Sequence, residues 1–308
     1  MPVALLTGTV LRAHGGVYEI ETAEGMVEAS LRGRLKREVR TGDKVVVGDR
    51  VELGRGSGSG AEAWTIEKVH DRHSILARKA PGKAPRAKVI VANVDQVLIV
   101  FAAANPAPHL RMLDRFLVIA EAGELRPVIV VNKTDVEGEE AARALFAPYE
   151  RAGYTVIYAA AKRGVGVDAV RDAICGQVSA LAGPSGVGKS SLLNAVQPGL
   201  GLRVAAVSEA VNKGRHTTVT AQLIPLECGG YVADTPGLRE VGLWEVDIGQ
   251  LQFYFPEFEG LIDDCRFTSS CTHIHEPGCA IRAAVDAGAI NASRYDSYRR
   301  IMLGEDEE

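Results

Sequence analysis

The sequence predicts a multidomain chain: an N-terminal β-barrel of the OB-fold type, a central α/β domain on a parallel sheet, and a small, mostly helical C-terminal domain. Three features predict it. Short alternating apolar runs split by glycine turns fill the first part of the chain, strands and helices then alternate from Val94 to Val196, and cysteines and a histidine cluster between Cys265 and Cys279. The expected boundaries are 1–72, 73–243 and 244–308.

In the first part, Thr7–Leu11, Val17–Glu21, Met26–Ala29, Val45–Val47 and Arg50–Leu53 have the two-residue period of half-buried strands. Gly15-Gly16, Glu24-Gly25, Thr41-Gly42-Asp43 and the Gly-rich segment Gly54–Gly60 separate or follow them. Regular short strands suggest a small barrel, a fold that binds RNA in some proteins and is a packing module in others. Aromatic residues for base stacking are limited to Tyr18 and Trp64, so recognition of RNA shape and backbone is expected over base reading. Ala80-Pro81-Gly82-Lys83-Ala84-Pro85 reads as a linker.

The middle of the chain alternates strand Val94–Phe101, helix Leu110–Ala122, strand Val128–Val131, helix Glu139–Ala152, strand Tyr154–Ala159, helix Val167–Gln177 and the apolar run Val178–Ala182. That alternation predicts a parallel sheet. Next, Gly183-Pro184-Ser185-Gly186-Val187-Gly188-Lys189-Ser190 fits Gly-x4-Gly-Lys-Ser without mismatch and runs through Ser191 into a helix-like segment. The glycines let backbone N–H groups approach a phosphate, and the helix N-terminus adds partial positive charge. Lys189 reaches the β and γ phosphates and the Ser190 hydroxyl ligates magnesium. Residues 183–191 are therefore expected to contact nucleotide.

Downstream, Tyr231-Val232-Ala233 reads as a buried strand that delivers Asp234-Thr235-Pro236-Gly237, 44 residues after Ser190. There Asp234 holds the magnesium and the Gly237 N–H faces the γ-phosphate. Between them, Asn212-Lys213-Gly214-Arg215-His216-Thr217-Thr218 suits a segment that orders when a threonine hydroxyl meets magnesium and phosphate. Thr218 is the expected ligand, with Thr217 as the alternative.

Asn132-Lys133-Thr134-Asp135, at the end of Val128–Val131, distinguishes guanine from adenine. The Asp135 carboxylate accepts from N1–H and the exocyclic amine of guanine, whereas adenine offers an unprotonated ring nitrogen, a mismatch of roughly 1–3 kcal/mol or more. Asn132 can bond the other base edge, the Lys133 stem can cover the ring, and Ala160-Ala161-Lys162 supplies a small-residue loop beneath it. In ordinary guanine-nucleotide domains the phosphate loop precedes this tetrapeptide; here it follows, so the central domain is a P-loop GTPase domain with circularly permuted motifs. Permutation costs little, because in an open parallel sheet all these loops emerge at the carboxyl ends of the strands.

The motif order, the segment Gly214-Arg215-His216-Thr217-Thr218, the barrel-like N-terminus and a Cys-x-His motif resemble the RsgA family of circularly permuted bacterial GTPases over essentially the whole chain. The resemblance implies a cytoplasmic enzyme that hydrolyses GTP and binds the 30S ribosomal subunit and its 16S rRNA in late subunit maturation. It also implies a zinc-binding C-terminal domain and a monomeric protein.

Composition agrees with these expectations. A chain of 308 residues with 46% hydrophobic content can bury more than one core. Met1–Gly8 has neither a basic start nor a long apolar run, so no secretion or membrane signal is read. The formal net charge of −4 argues mildly against nucleic acid, but its distribution does not. Arg32, Arg34, Lys36, Arg37 and Arg40 stand against Glu38 alone, and Arg72, Arg78, Lys79, Lys83, Arg86 and Lys88 against no acid within 72–88. Either run alone equally suits a solvated loop; on a barrel and its linker they favour a phosphate backbone.

Of five cysteines, three fall with a histidine in Cys265-x5-Cys271-x-His273-x5-Cys279. Three thiolates and one imidazole fill a tetrahedral zinc shell and leave no position for a reactive water, so the metal is expected to be structural. Pro277-Gly278 supplies a tight turn. His275 competes with His273, which matches the family position, although the family more usually has four residues between the first two cysteines. Helix Ala292–Leu303, with Arg294, Tyr295, Tyr298, Arg299 and Arg300, suits either an RNA or protein contact or internal packing.

Leu238 follows Gly237 where many GTPases place a glutamine that orients the attacking water. Slow intrinsic hydrolysis is expected, completed by a partner that orders the switches; such completion reaches ~10⁵-fold, or ~7 kcal/mol. His216 is the candidate substitute, with RNA contact or plain exposure as its other readings, and joins Lys189 and Thr218 in the expected catalytic set. Two other functions fit the motifs: an RNA-associated GTPase with a non-ribosomal target, and a GTP-gated RNA-binding scaffold. Intact Lys189, Ser190 and Asp234 argue against a scaffold that does not hydrolyse.

Overall fold

A computed structural model describes residues 6–32, 45–55, 64–79, 87–200, 221–234 and 246–305. The chain divides into two compact units, each assembled from separated stretches. Met1–Val97, Arg171–Leu181 and Gln197–Val241 form the first; Leu98–Val170, Ala182–Val196 and Gly242–Glu308 form the second.

In the first unit, β1 (Leu6–His14), β2 (Val17–Thr22), β3 (Gly25–Leu31), β4 (Arg50–Arg55) and β5 (Trp64–Val69) close into a barrel. Their order is β1-β2-β3-β5-β4, with β4 returning to β1. The β3–β5 pair is parallel and the other four pairs are antiparallel. Strand alternation turns Val10, Ile20, Val51, Leu53 and Ile66 fully inward.

Two expectations about the barrel change. Val45–Val47 is not a strand; Val47 makes a single bridge to Val91. A tight turn prevents extension: Val46 N–H bonds the Asp49 carboxylate at 2.8 Å, Asp49 N–H returns to the Val46 carbonyl oxygen, and Gly48 has φ +88°. The fifth strand is Trp64–Val69, where Ile66 alone is buried and the alternation is faint.

Beyond the barrel, β6 (Ile75–Lys79) and β7 (Ala87–Ala92) form an antiparallel pair around the linker-like segment, whose residues 80–86 lie outside the described ones. Not every cation of the basic runs faces solvent. Arg72 forks onto the fully buried Asp49, Nε to Oδ1 at 2.7 Å and Nη2 to Oδ2 at 2.9 Å, whereas Arg32 stays exposed while pairing with Glu67. Arg34, Lys36, Arg37, Arg40, Lys83 and Arg86 lie outside the described residues.

The loops of interest leave β8 (Gln96–Ala102), β9 (Arg126–Asn132), β10 (Thr155–Tyr158), β11 (Val178–Ala182), β12 (Gln222–Pro225) and β13 (Tyr231–Asp234). In the first unit β11 and β13 are parallel, β12 runs antiparallel to β13, and β12 pairs with β1 at Gln222 and Arg12. The Arg12 Nε–H donates to Gln222 Oε1 at 3.0 Å, and the Tyr231 hydroxyl to Glu21. Cys175 and Cys228, given no role by the sequence, are disulfide-bonded with their Cα atoms 5.4 Å apart.

In the second unit β9 and β10 are parallel and β8 lies beside β9. Among the described residues of the whole chain, the α-helices in order are α1 (Leu110–Ala122), α2 (Thr134–Glu137), α3 (Glu139–Arg151), α4 (Val167–Ile174), α5 (Lys189–Val196), α6 (Ala280–Asp286) and α7 (Ala292–Leu303). Helix α4 stops short of the expected Gln177 because Gly176 turns at φ +73° and its N–H bonds the Gly229 carbonyl.

The C-terminal part of the second unit is built from short 3-10 turns, α6 and α7. Leu251, Phe255, Phe258, Tyr298 and Ile301 form its core with Val118 of α1. Arg294, in the helix that sequence left open between RNA contact and packing, is 1% exposed. It bonds Asp114 Oδ1 at 2.7 Å and forks onto Glu257 at 2.8 and 3.0 Å. Arg299 and Arg300 pair with Asp296 on the same helix. Among the described residues no helix is long and apolar enough to cross a membrane.

Candidate nucleotide and metal sites

Strand β11 runs into Gly183, where φ is +121° and a Cβ would lie 2.1 Å from the Val100 carbonyl oxygen. Gly186 and Gly188 follow at φ +81° and +95°, so three positions of the loop use conformations that favour glycine. Helix α5 starts at Lys189, with Ser190 and Ser191 in its first turn. The Lys189 ammonium donates to the carbonyl oxygens of Gly183 and Pro184 at 2.7 and 2.6 Å, which holds it against the loop. Val187 is fully buried, whereas Ser185 is exposed.

At the end of β9, Asn132 is buried and its amide is engaged at both ends: Nδ2 donates to the Val187 carbonyl at 2.9 Å and Oδ1 accepts from Ala161 N–H at 3.2 Å. The amide therefore ties the strand end to the phosphate loop and the Ala161 turn, and each end keeps one further hydrogen-bonding position. Lys133, at φ +61°, sends its ammonium to the carbonyls of Gly186, at 2.7 Å, and Asn105. Thr134 bonds the Ala159 carbonyl through both its N–H and its hydroxyl. These ties leave a cavity of about 280 Å³ lined by Asn132, Lys133, Asp135, Ala161, Lys162 and Gly188 among others. Asp135 Oδ2 also accepts from Arg163 Nε–H at 3.0 Å.

Strand β13 ends at Asp234. His216, Thr217, Thr218, Gly237 and Leu238 lie outside the described residues. A wider groove of about 880 Å³ opens on the barrel, but its lining mixes Glu21 and Asp71 with Arg50 and His70, which does not make a phosphate cradle.

Cys265, Cys271, His273 and Cys279 are all buried, and their ligand atoms lie within 4.8 Å of one another. Cys265 Sγ is 3.5 Å from His273 Nδ1 and 3.9 Å from Cys279 Sγ, and Cys279 Sγ is 3.4 Å from the same Nδ1. A tetrahedral metal bonded at ~2.3 Å to sulfur and ~2.05 Å to nitrogen separates two sulfurs by about 3.8 Å and sulfur from nitrogen by about 3.5 Å. The donor set fits such an ion. Burial pushes the Cys271 thiol up to about 12 and holds His273 below its usual value, so thiolates here call for a cation among them.

His275 is exposed and outside this group, and the five-residue spacer after Cys265 is taken up by the 3-10 turn Thr268–Ser270. His273 Nε2 lies 2.7 Å from Gln252 Oε1, a bond that places the proton on Nε2 and frees Nδ1 for a metal. Tyr295 and Tyr298 hydroxyls hold the carbonyls of His273 and Thr272. Gln252 and Arg163 are the residues that motif reading missed; neither belongs to a short motif.

A glycine loop at a helix start, tied through Asn132 to a cavity that carries the Asp135 carboxylate, defines a P-loop nucleotide-binding protein of the permuted kind. The RsgA GTPase family profile matches residues 69–244, and the RsgA N-terminal domain profile matches residues 7–59. The chain belongs to the RsgA family and is a GTPase. It is 54% identical to the small ribosomal subunit biogenesis GTPase RsgA of Gemmatimonas aurantiaca over 296 residues, 96% of each chain. The crystal structure of YjeQ from Thermotoga maritima matches with a TM-score of 0.80 at 34% identity, over 99% of each chain. YloQ, a circularly permuted GTPase, matches at 0.75 and 28% identity over 99% of this chain and 96% of its own.

Proposed function

We propose that this GTPase acts in biogenesis of the small ribosomal subunit. It binds the 30S subunit and 16S rRNA during late maturation and hydrolyses GTP slowly until that subunit orders its switches. Full-length similarity to a protein named for small-subunit biogenesis carries the reading, joined to the permuted phosphate and base loops held together by Asn132.

GTP lies along Gly183–Ser191, with its base between Asp135, Lys133 and the Ala161-Lys162 turn and the Gly237 N–H toward the γ-phosphate. Ser190, Thr218 and Asp234 are the residue types that hold magnesium, which offsets the charge of the β and γ phosphates when bound. Lys189 adds a fixed cation to the same phosphates. His216 positions the attacking water, which Leu238 cannot do. Cys265, Cys271, His273 and Cys279 hold one structural zinc. The barrel, residues 1–72, contacts RNA; residues 73–243 hydrolyse GTP; and residues 244–308 form the zinc domain of a cytoplasmic monomer.

Turnover with and without purified 30S subunits tests the reading. Slow hydrolysis that rises by orders of magnitude with subunits is expected, together with loss of that rise in His216→Ala. Fast turnover without subunits overturns completion by a partner, and unchanged stimulation in the variant removes His216 alone. Co-sedimentation with 30S subunits in GDP and in a non-hydrolysable GTP analogue checks that affinity follows the nucleotide.

A further inference from the structure

We infer that Arg163 is a positioning residue for the base: it orients the Asp135 carboxylate toward guanine and so sets the margin by which guanine is preferred. The inference rests on reading Asp135 as the guanine acceptor.

To accept from N1–H and the exocyclic amine together, a carboxylate must hold both oxygens in the plane of the base. Asp135 sits in the single turn α2, and its side chain is 27% exposed. Among the described residues, Arg163 is the side chain that hydrogen-bonds it, Nε–H to Oδ2 at 3.0 Å. Ala160, just before the turn Ala161–Arg163, brings only a methyl side chain, and its N–H is bonded to the Val165 carbonyl.

The arginine approaches from outside the base seat. Asp135, Lys133 and Lys162 line the cavity, and Arg163 does not. It therefore restrains the carboxylate without occupying the space of a base. The stem also starts from a fixed point, because Ala161 N–H is bonded to Asn132 and Arg163 N–H to the Ala160 carbonyl. Gly166, just beyond, is pressed so closely on Tyr158 that a Cβ would lie 2.1 Å from its carbonyl oxygen.

The Arg163 side chain is 70% exposed, and an ion pair so open to water adds little to folding stability. Its contribution is directional, and nucleotide selectivity is where it is read.

The test is equilibrium binding of GDP, IDP and ADP to the full-length protein. IDP keeps the guanine N1–H and lacks the 2-amino group, so the GDP/IDP ratio reports whether both carboxylate oxygens are in register. Arg163→Ala is expected to weaken GDP by about 5-fold, with IDP weakened less, so that the ratio falls, while the thermal midpoint stays that of the wild type. GDP bound as tightly as by the wild type, or GDP and IDP weakened equally, overturns the inference. The base reading itself fails separately, if the wild type does not prefer GDP to ADP or if Asp135→Asn keeps that preference.

Discussion

Asn132 and Val187, 55 residues apart in the chain, are joined by a hydrogen bond of 2.9 Å from the side-chain amide to the backbone carbonyl. The end of β9 and the glycine loop thus share one support, and the permuted order of the motifs does not loosen it. The other end of the same amide holds Ala161 N–H, so a single side chain registers three loops.

Asn132→Ala therefore acts on the whole site. It leaves the Val187 carbonyl and the Ala161 N–H without their partner, at about 1–3 kcal/mol for each group that stays buried. A fall in GDP affinity on the order of 100-fold is expected, measurable by titration with a fluorescent GDP analogue. Affinity within a few-fold of wild type would show that the loops hold their register without it.

Gly183→Ala and Gly188→Ala are both expected to abolish nucleotide binding, with different costs in stability. A Cβ at Gly183 meets the Val100 carbonyl oxygen at 2.1 Å, backbone of a fully buried strand, whereas one at Gly188 meets the Asn132 amide at 2.5 Å, a side chain that can yield by giving up its bond to the Val187 carbonyl. Thermal unfolding should therefore drop further for Gly183→Ala. Equal midpoints for the two variants would contradict the contrast.

Arg294 is the counter-charge of two acids, Asp114 and Glu257, inside the second unit. Removing one partner of a buried ionic group costs about 3–5 kcal/mol, because the remaining charges are left uncompensated. Urea unfolding of Arg294→Met should show that loss. Adding Asp114→Asn and Glu257→Gln should return much of it, since the neutral amides no longer need a cation.

Gln252→Ala should weaken metal binding by about 10- to 100-fold, the usual effect of losing the residue that orients a histidine ligand. Competition with a chromophoric zinc chelator reads this without any nucleotide. An unchanged midpoint of metal release would show that Phe258 and Tyr298, whose rings flank His273, suffice to hold it.

The parts legible in the sequence are those where chemistry fixes several neighbouring residue types at once. Gly183–Ser190, Asn132–Asp135 and the Cys-x-His run are contiguous, and the continuous apolar runs that become buried β8 and β9, set between helical segments, marked the parallel elements around them. What stayed hidden depends on partners far along the chain. Arg72 and Arg294 look like surface cations until Asp49, Asp114 and Glu257 are brought to them. Gln252 stands 21 residues from His273. The strand Trp64–Val69 buries one side chain fully, too few to show a period, and pairing of Cys175 with Cys228 across 53 residues has no local signature.

Strand β1 serves two neighbours beyond β2: Leu6–Thr9 close the barrel on β4, and Arg12 pairs with Gln222 of β12. A shortened chain that kept every nucleotide motif but began after residue 72 would lose the pairing at Gln222 and leave the flank of β12 without its cover there. The barrel is in this sense a guard for the strand pair that carries Asp234, whatever else it touches.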